Sequence, residues 1–182
     1  SPRSSALRTG SPTGSTPVGS GTRPETRFTY SQLAAWYKNS GGSLVQASGV
    51  YRLTETSACA TGSVGSSCVG TSDETRSVFT HETGSSSVAA NLLTATATAR
   101  SGNTSGGGAV SSSVGFGYTF IGDLGVVDGP LSGSSDTTYL YYDNNRQLRA
   151  TVSPDPDGGG SRRQRVARTT YNADGQVAIT EV

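Results

Sequence analysis

Tyr139-Leu-Tyr-Tyr-Asp-Asn-Asn-Arg-Gln-Leu148 runs into Arg149-Ala-Thr-Val152, and a near copy follows as Arg168-Thr-Thr-Tyr-Asn-Ala-Asp-Gly-Gln-Val177 with Ala178-Ile-Thr180. Tyr142 and Tyr171 stand 29 residues apart. Each copy is an aromatic strand, a polar turn and a second strand opened by an aliphatic residue, Leu148 or Val177. That is the composition of a tight β-hairpin. Asp143 and Asn172, each directly after its tyrosine, can accept hydrogen bonds from the backbone amides of the turn. Gly175 tolerates positive φ at the second turn. Arg146 stands at that place in the first copy, so Asn145 is expected to take the left-handed conformation there. Each tyrosine offers a broad apolar face and a hydroxyl that can still find a partner.

Outward from this pair the chain keeps the same grammar. Thr26-Arg-Phe-Thr-Tyr30 and Gly49-Val-Tyr-Arg-Leu-Thr-Glu-Thr56 alternate side chains with a period of two, the mark of a half-buried strand. Glu74-Thr-Arg-Ser-Val-Phe-Thr-His81 is expected to pair with Asn91–Arg100 across the loop 82–90. Ser111–Phe120 reads as a further strand, followed by Gly125-Val-Val-Asp-Gly-Pro130. Ser31–Lys38 alone could make a helical turn, and its Trp36-Tyr37 pair before Asn39-Ser-Gly-Gly42 suits a strand or bulge at least as well. Residues 1–22, with three prolines and four glycines, read as an extended arm or linker. The expected architecture is all-β: chained antiparallel β-hairpins over residues 23–182, forming a spiral or shell-like sheet with long Gly/Ser-rich loops.

Composition agrees. Of 182 residues, 53 are Ser or Thr and 25 are Gly, whereas only 32% are apolar. A helical bundle needs far more Leu, Ala, Glu and Lys. A thick enzyme-like core needs more apolar surface to bury. Disorder is disfavoured by a formal net charge of +1 and by abundant Tyr, Val and Thr. The chain begins at Ser1 without Met, which reads as a processed product or a fragment. No apolar run is long enough to cross a bilayer as a helix.

The paired hairpins resemble the YD-repeat (RHS-repeat) family, whose pattern is Tyr-Asp, two variable residues, Gly, one variable residue, then Leu or Val. Tyr171, Gly175 and Val177 match it, with Asn172 in the Asp place. Tyr142, Asp143 and Leu148 match in the earlier copy, and Pro156-Asp157-Gly158 matches the turn found between repeats. The resemblance is clear over residues 136–182. Tyr118-Thr-Phe-Ile-Gly-Asp-Leu-Gly125 looks like a degenerate third copy, and Arg27-Phe-Thr-Tyr30 like a fourth. In RHS proteins, toxin-complex C components and teneurins such hairpins wind into a hollow shell, and the bacterial shells enclose a toxic C-terminal domain. The resemblance therefore implies a piece of shell wall, without the releasing protease or the cargo. Units of this kind bury their faces only against neighbours, so they need continuation or capping. A chain ending on the strand Gln176–Thr180 is expected to leave an open edge that recruits other strands.

Cys59 and Cys68, the only cysteines, flank eight mostly small residues, and a disulfide that pins this loop is the expected state. A metal site would need further Cys or His nearby, and none is present, so no metal or other cofactor is expected. His81, the only histidine, has no partners for a catalytic triad, and it is expected to project into solvent or pack beside Phe79 and Glu82. Asp73 and Glu74, adjacent on a strand, would point to opposite faces. Asp143-Asn-Asn145 and Asp155-Pro-Asp157 gather oxygens without the spacing of a calcium loop, so they read as turns. Arg162, Arg163, Arg165 and Arg168 read as a charged edge strand rather than as a nucleic-acid interface. No catalytic residues are expected.

The leading expectation is thus a non-enzymatic structural segment, extracellular or on a bacterial cell surface. Its partners would be neighbouring repeats of the same or a longer chain, in a homo-oligomer or polymer. Neither nucleic acid nor a membrane span is expected. One alternative is a self-assembling subunit of an extracellular filament or matrix. Another is an adhesin module that presents Trp36, Tyr37, Tyr139 and Tyr141 as a platform for carbohydrate or protein.

Overall fold

The computed structural model describes residues 3–8, 25–61, 68–104 and 108–182. Among them there is no α-helix, and the strands pair antiparallel throughout. This is the all-β, chained-hairpin architecture that the composition demands. The chain divides into two compact units, residues Ser1–Ser112 and Ser113–Val182.

In the first unit the strands are β1 (Arg3–Arg8), β2 (Glu25–Leu33), β3 (Trp36–Lys38), β4 (Leu44–Gln46), β5 (Val50–Cys59), β6 (Glu74–His81), β7 (Thr94–Thr104) and the start of β8 (Gly108–Tyr118). The run β1-β2-β5-β6-β7 forms one sheet, and β3 with β4 forms a small one of its own. The Ser31–Lys38 segment is therefore extended, ending β2 and making β3. Within the arm expected at 1–22, Arg3–Arg8 pairs with β2, Arg3 opposite Tyr30 and Arg8 opposite Glu25. Residues 9–22 of that arm lie outside the described residues. β6 and β7 pair as their alternation requires, Phe79 opposite Ala97 and Arg76 opposite Arg100.

Little is buried. Cys59, Cys68 and Leu92 are the buried hydrophobic residues among those described, with Ser57 and Thr137 as buried polar ones. One face of the first sheet carries instead a cross-strand row of Arg27, Ser57, Arg76 and Arg100. Like charges facing one another across a ladder are unfavourable, and carboxylates two positions along the strands, on the same face, offset them. Arg76 Nη2 lies 2.5 Å from Glu55 Oε2. Arg27 Nη2 donates to Ser57 Oγ at 2.5 Å and to Glu74 Oε1 at 3.3 Å. Ser57 Oγ itself donates to Glu74 Oε1 at 2.5 Å, and the Gly70 N–H donates to Glu74 Oε2 at 2.9 Å.

Burial works to raise the Glu74 pKa, but the Ser57 hydroxyl, the Gly70 amide and the Arg76 and Arg27 guanidiniums outweigh it and hold the carboxyl below its ordinary value. A carboxyl depressed in the folded state contributes stability above its unfolded pKa of about 4.3, and that contribution is lost as pH falls through the folded value. Glu74→Gln should lower stability at neutral pH by about 1–3 kcal/mol, since it removes the charge that the guanidiniums face and turns one of the two acceptor oxygens into an NH2 donor set against the Gly70 N–H or the Ser57 hydroxyl. The penalty should shrink in acid, where the native carboxyl is itself protonated. Urea denaturation at neutral pH and near pH 3 checks both parts. A penalty that does not change with pH would show that the charge of Glu74 is not what stabilises the cluster.

The second unit consists of the rest of β8 from Ser113, then β9 (Leu124–Asp128), β10 (Thr138–Tyr142), β11 (Leu148–Val152), β12 (Val166–Tyr171) and β13 (Val177–Glu181), each hydrogen-bonded to the next. They form three successive hairpins, β8–β9, β10–β11 and β12–β13. The links differ in length: 129–137 between the first two and 153–165 between the last two. Arg162, Arg163 and Arg165 belong to the second link and not to a strand, so the expected charged edge strand is corrected: only Arg168 lies on β12. The Pro154–Gly160 part of this link cannot join the ladder, because two prolines remove donors and Gly158 and Gly159 have positive φ (65° and 101°).

Candidate functional site

The tips of these three hairpins are one local structure written three times: Tyr118–Leu124, Tyr142–Leu148 and Tyr171–Val177. In each, the residue after the tyrosine closes a five-residue turn. Its N–H donates to the carbonyl four residues on (Thr119 to Asp123 2.8 Å, Asp143 to Gln147 3.0 Å, Asn172 to Gln176 2.9 Å). Its carbonyl accepts from the N–H three residues on (Gly122 2.9 Å, Arg146 3.0 Å, Gly175 3.0 Å). Its side-chain oxygen accepts a further amide across the turn: Thr119 Oγ1 from Asp123 at 3.0 Å, Asp143 Oδ1 from Gln147 at 2.9 Å, and Asn172 Oδ1 from Gln176 at 2.9 Å. This is the three-residue hairpin loop in which a type I turn is followed by a left-handed residue. Ladder register shifts at the tyrosine in all three.

The fourth residue of each turn carries the left-handed backbone: Gly122 at φ 89°, Arg146 at 64° and Gly175 at 78°. Asn145, expected to take that role, does not. Asp143 fixes the register of the turn by bonding both Asn145 N–H and Gln147 N–H at 2.9 Å, and the left-handed position then falls on Arg146. A non-glycine residue there is strained. Its side chain is held by the preceding hairpin: Arg146 Nε donates to Asp123 Oδ1 at 2.9 Å and Oδ2 at 3.2 Å, and Nη2 also reaches Oδ1.

Consecutive hairpins are tied by the tyrosines. Tyr142 Oη donates to the Leu124 carbonyl at 3.0 Å, and Tyr171 Oη to the Leu148 carbonyl at 2.9 Å. Both acceptors are the aliphatic residues that open the second strand of the hairpin before. The turns are linked as well. Asp123 takes the Arg146 guanidinium, and Gln147 Nε2 donates to the Gly175 carbonyl at 3.3 Å. The roles assigned to Tyr142, Asp143, Leu148, Tyr171, Asn172, Gly175 and Val177 thus meet in one repeated geometry. Pro156, Asp157 and Gly158 form a separate capped turn. There Asp155 Oδ1 accepts from Asp157 N–H at 3.2 Å and Oδ2 from Gly159 N–H at 2.9 Å, and the Asp157 amide leads the bonds that hold the Asp155 pKa low.

A fourth turn of the same kind lies where no tyrosine directly precedes it. Asn39 N–H donates to Ser43 O and Gly42 N–H to Asn39 O, both at 2.9 Å, while Asn39 Oδ1 accepts from Ser43 N–H at 3.0 Å and Gly42 has φ 79°. This joins β3 to β4, with Lys38 in the tyrosine place and Leu44 in the aliphatic one. The fourth copy expected at Arg27–Tyr30 is not a turn, because Tyr30 continues into Ser31–Leu33 of β2. The Asn39-x-x-Gly42-x-Leu44 spacing was the signal that could have found the real one.

Of the proposed aromatic platform, Tyr139 and Tyr141 lie two apart on β10, half-buried and 53% exposed respectively. Trp36 and Tyr37 are neighbours on β3 in the other unit, and alternation sends them to opposite faces. Trp36 is half-buried, bridged to Ala90 and bordering a hollow of about 490 Å³ with Gln32, Gln46 and Thr83. Cys59 and Cys68 form the expected disulfide, with Cα atoms 5.7 Å apart. Asp73 lies close to both sulfurs, but these are bonded to each other and offer no thiolate to a metal. Asp73 instead accepts Thr61 N–H and hydroxyl at 2.8 and 2.6 Å, away from the partners of Glu74. His81 does not project freely into solvent: its Nε2 sits 2.9 Å from the Leu53 carbonyl, where it donates. No helix among the described residues is long and apolar enough to cross a membrane. No protein-family model matches the chain, and no curated protein matches it.

Proposed function

We propose that this chain is a non-enzymatic structural segment of the YD-repeat kind, a run of tyrosine hairpins that builds part of the wall of a larger β assembly. The observation that carries the reading is the hydroxyl link made twice in the same direction, Tyr142 to Leu124 and Tyr171 to Leu148. A turn that recurs with its contact to the preceding hairpin is a module for stacking, and stacked modules draw their stability from neighbours instead of a private core. The sparse burial fits that economy. The Cys59–Cys68 disulfide favours an oxidising compartment, and we place the protein outside the cell or on its surface. In the wall reading, the shell would enclose or deliver a toxic cargo domain.

Sequencing the parent gene tests this directly. Further Tyr-Asx-x-x-Gly-x-Leu/Val hairpins should flank residues 1–182 at irregular intervals, because the seven-residue tip is fixed and the links are not. A parent without such neighbours overturns the wall reading. Concentration-dependent polymers of the isolated chain, seen by light scattering and negative-stain microscopy, would then favour the filament subunit.

A further inference from the structure

The small sheet of the first unit brings together side chains that the tyrosine turns do not use. Trp36 on β3 stands directly opposite Gln46 on β4, and residues opposite one another in an antiparallel pair share a face. The indole and the carboxamide are therefore neighbours, while Tyr37 faces the other way. Both border the hollow of about 490 Å³, together with Gln32 near the end of β2 and Thr83 just after β6. Two glycines let these parts close on one another. A Cβ at Gly49 would lie 2.8 Å from Gln32 Cγ, so the close lie of Gln32 over that backbone depends on glycine. Gly84 has φ 68°, and a Cβ there would come within 3.1 Å of Trp36 Cβ and 2.6 Å of the Val88 carbonyl oxygen. The Trp36 N–H and carbonyl are both bonded to Ala90, at 3.1 and 3.0 Å, which fixes the strand that carries the ring.

Among the described residues every side chain that lines this hollow is uncharged. A phosphate, a carboxylate or a metal ion would meet no opposite charge there. What the hollow offers is an aromatic ring, two carboxamides that each donate and accept, and a hydroxyl. The Gln46 carboxamide and the Thr83 hydroxyl hold no hydrogen bond to another described residue. Gln32 Nε2 reaches the Gly49 carbonyl only at 3.4 Å, a long bond that a ligand can displace. A pyranose matches this set, because the C–H groups of one ring face pack on an aromatic face and its rim of hydroxyls both donates and accepts. The volume is that of a small-ligand site. We propose that this hollow binds a neutral oligosaccharide, with Trp36 as the stacking surface and Gln46, Gln32 and Thr83 as partners of the sugar hydroxyls. Of the four aromatic residues grouped as a platform in the sequence, only Trp36 takes part: Tyr37 faces away, and Tyr139 and Tyr141 belong to the other unit. None of the residues assigned to the sugar belongs to a tyrosine turn, so the inference stands whether or not the chain is part of a shell wall.

Trp36 is the only tryptophan in the chain, so its fluorescence reports on the site without a label. The full chain is titrated with cellotetraose, maltotetraose and N-acetylchitotetraose, and with a heparin tetrasaccharide as the charged comparison. At least one of the three neutral sugars should shift the emission saturably, with a Kd on the order of 0.1–1 mM for an open site with few hydrogen bonds. Gln46→Ala should weaken that binding about three- to tenfold, the worth of one hydrogen bond. Trp36→Ala, followed by calorimetry, should abolish it. Gln46 is exposed, so its variant keeps the fold where Trp36→Ala can disturb β3 and β4. Tyr37→Ala, a change at a 51% exposed residue on the opposite face, should leave the affinity as it is. The proposal is overturned by a flat titration with all three neutral sugars, or by binding that Gln46→Ala does not weaken. Equal losses from Tyr37→Ala and Gln46→Ala would overturn it by moving the ligand off this face, and tighter binding of the heparin fragment would overturn the neutral class.

Discussion

Tyr142→Ala is expected to destabilise the second unit by about 2–3 kcal/mol, and Tyr142→Phe by about 1 kcal/mol. Alanine removes a half-buried ring and leaves space at the junction of two hairpins, whereas phenylalanine keeps the ring and deletes only the donor to the Leu124 carbonyl. Tyr171 should repeat the pattern against Leu148, since its geometry is the same. Tyr141, next in sequence but 53% exposed, supplies the control: Tyr141→Phe should stay within about 0.5 kcal/mol of the parent. Amide exchange of residues 138–152 in the folded protein reads the second unit separately, which matters because two compact units need not unfold together. If Tyr142→Phe matched the parent while Tyr142→Ala did not, the ring would be packing alone and the hydroxyl link would carry no stability.

That link marks the boundary of what the sequence makes legible. The strands β5, β6 and β7 follow from period-two alternation, and the β10–β13 hairpins follow from the tyrosine, the Asx residue and the aliphatic residue at fixed offsets. These are local signals, each acting within one turn. The partner of a tyrosine hydroxyl is a carbonyl in another hairpin, 18 or 23 residues back, and links of unequal length hide that regularity from any fixed period. Arg146 shows the same limit. Its backbone strain is a local matter that argues for Asn145, but the position is decided by the register Asp143 imposes, and the arginine is retained through Asp123 in the hairpin before. Tyrosine without the turn spacing is no signal either: Tyr30 has no turn after it, whereas Asn39–Leu44 has the turn without the tyrosine. The charged row Arg27–Ser57–Arg76–Arg100 was legible only as scattered arginines until strand register set them side by side.

Removing the disulfide should have the other large effect, and it should reach beyond the loop. Closing a ring of this size is worth about 2–3 kcal/mol through the entropy of the unfolded chain, so Cys59→Ser/Cys68→Ser should lose that much in urea denaturation. Reductant should do the same to the parent, with two thiols titrating where the folded protein shows none. Cys68 also anchors a turn: its carbonyl accepts Thr71 N–H at 3.0 Å and Thr71 Oγ1 at 2.8 Å. Within that turn the Gly70 N–H donates to Glu74. Freeing Cys68 slackens this amide, one of the donors that hold the Glu74 pKa down, so the folded pKa rises toward its ordinary value. The carboxyl then contributes less stability at neutral pH, and what remains is lost at a higher pH on acidification. The acid-unfolding midpoint of the reduced protein should therefore lie above that of the oxidised one. Glu74→Gln should cost less in the disulfide-free background than in the parent, a coupling expected for residues that share one network. Strict additivity of the two changes, with parallel acid profiles, would mean that the disulfide acts on the unfolded chain alone and that the Gly70–Glu74 bond survives without it.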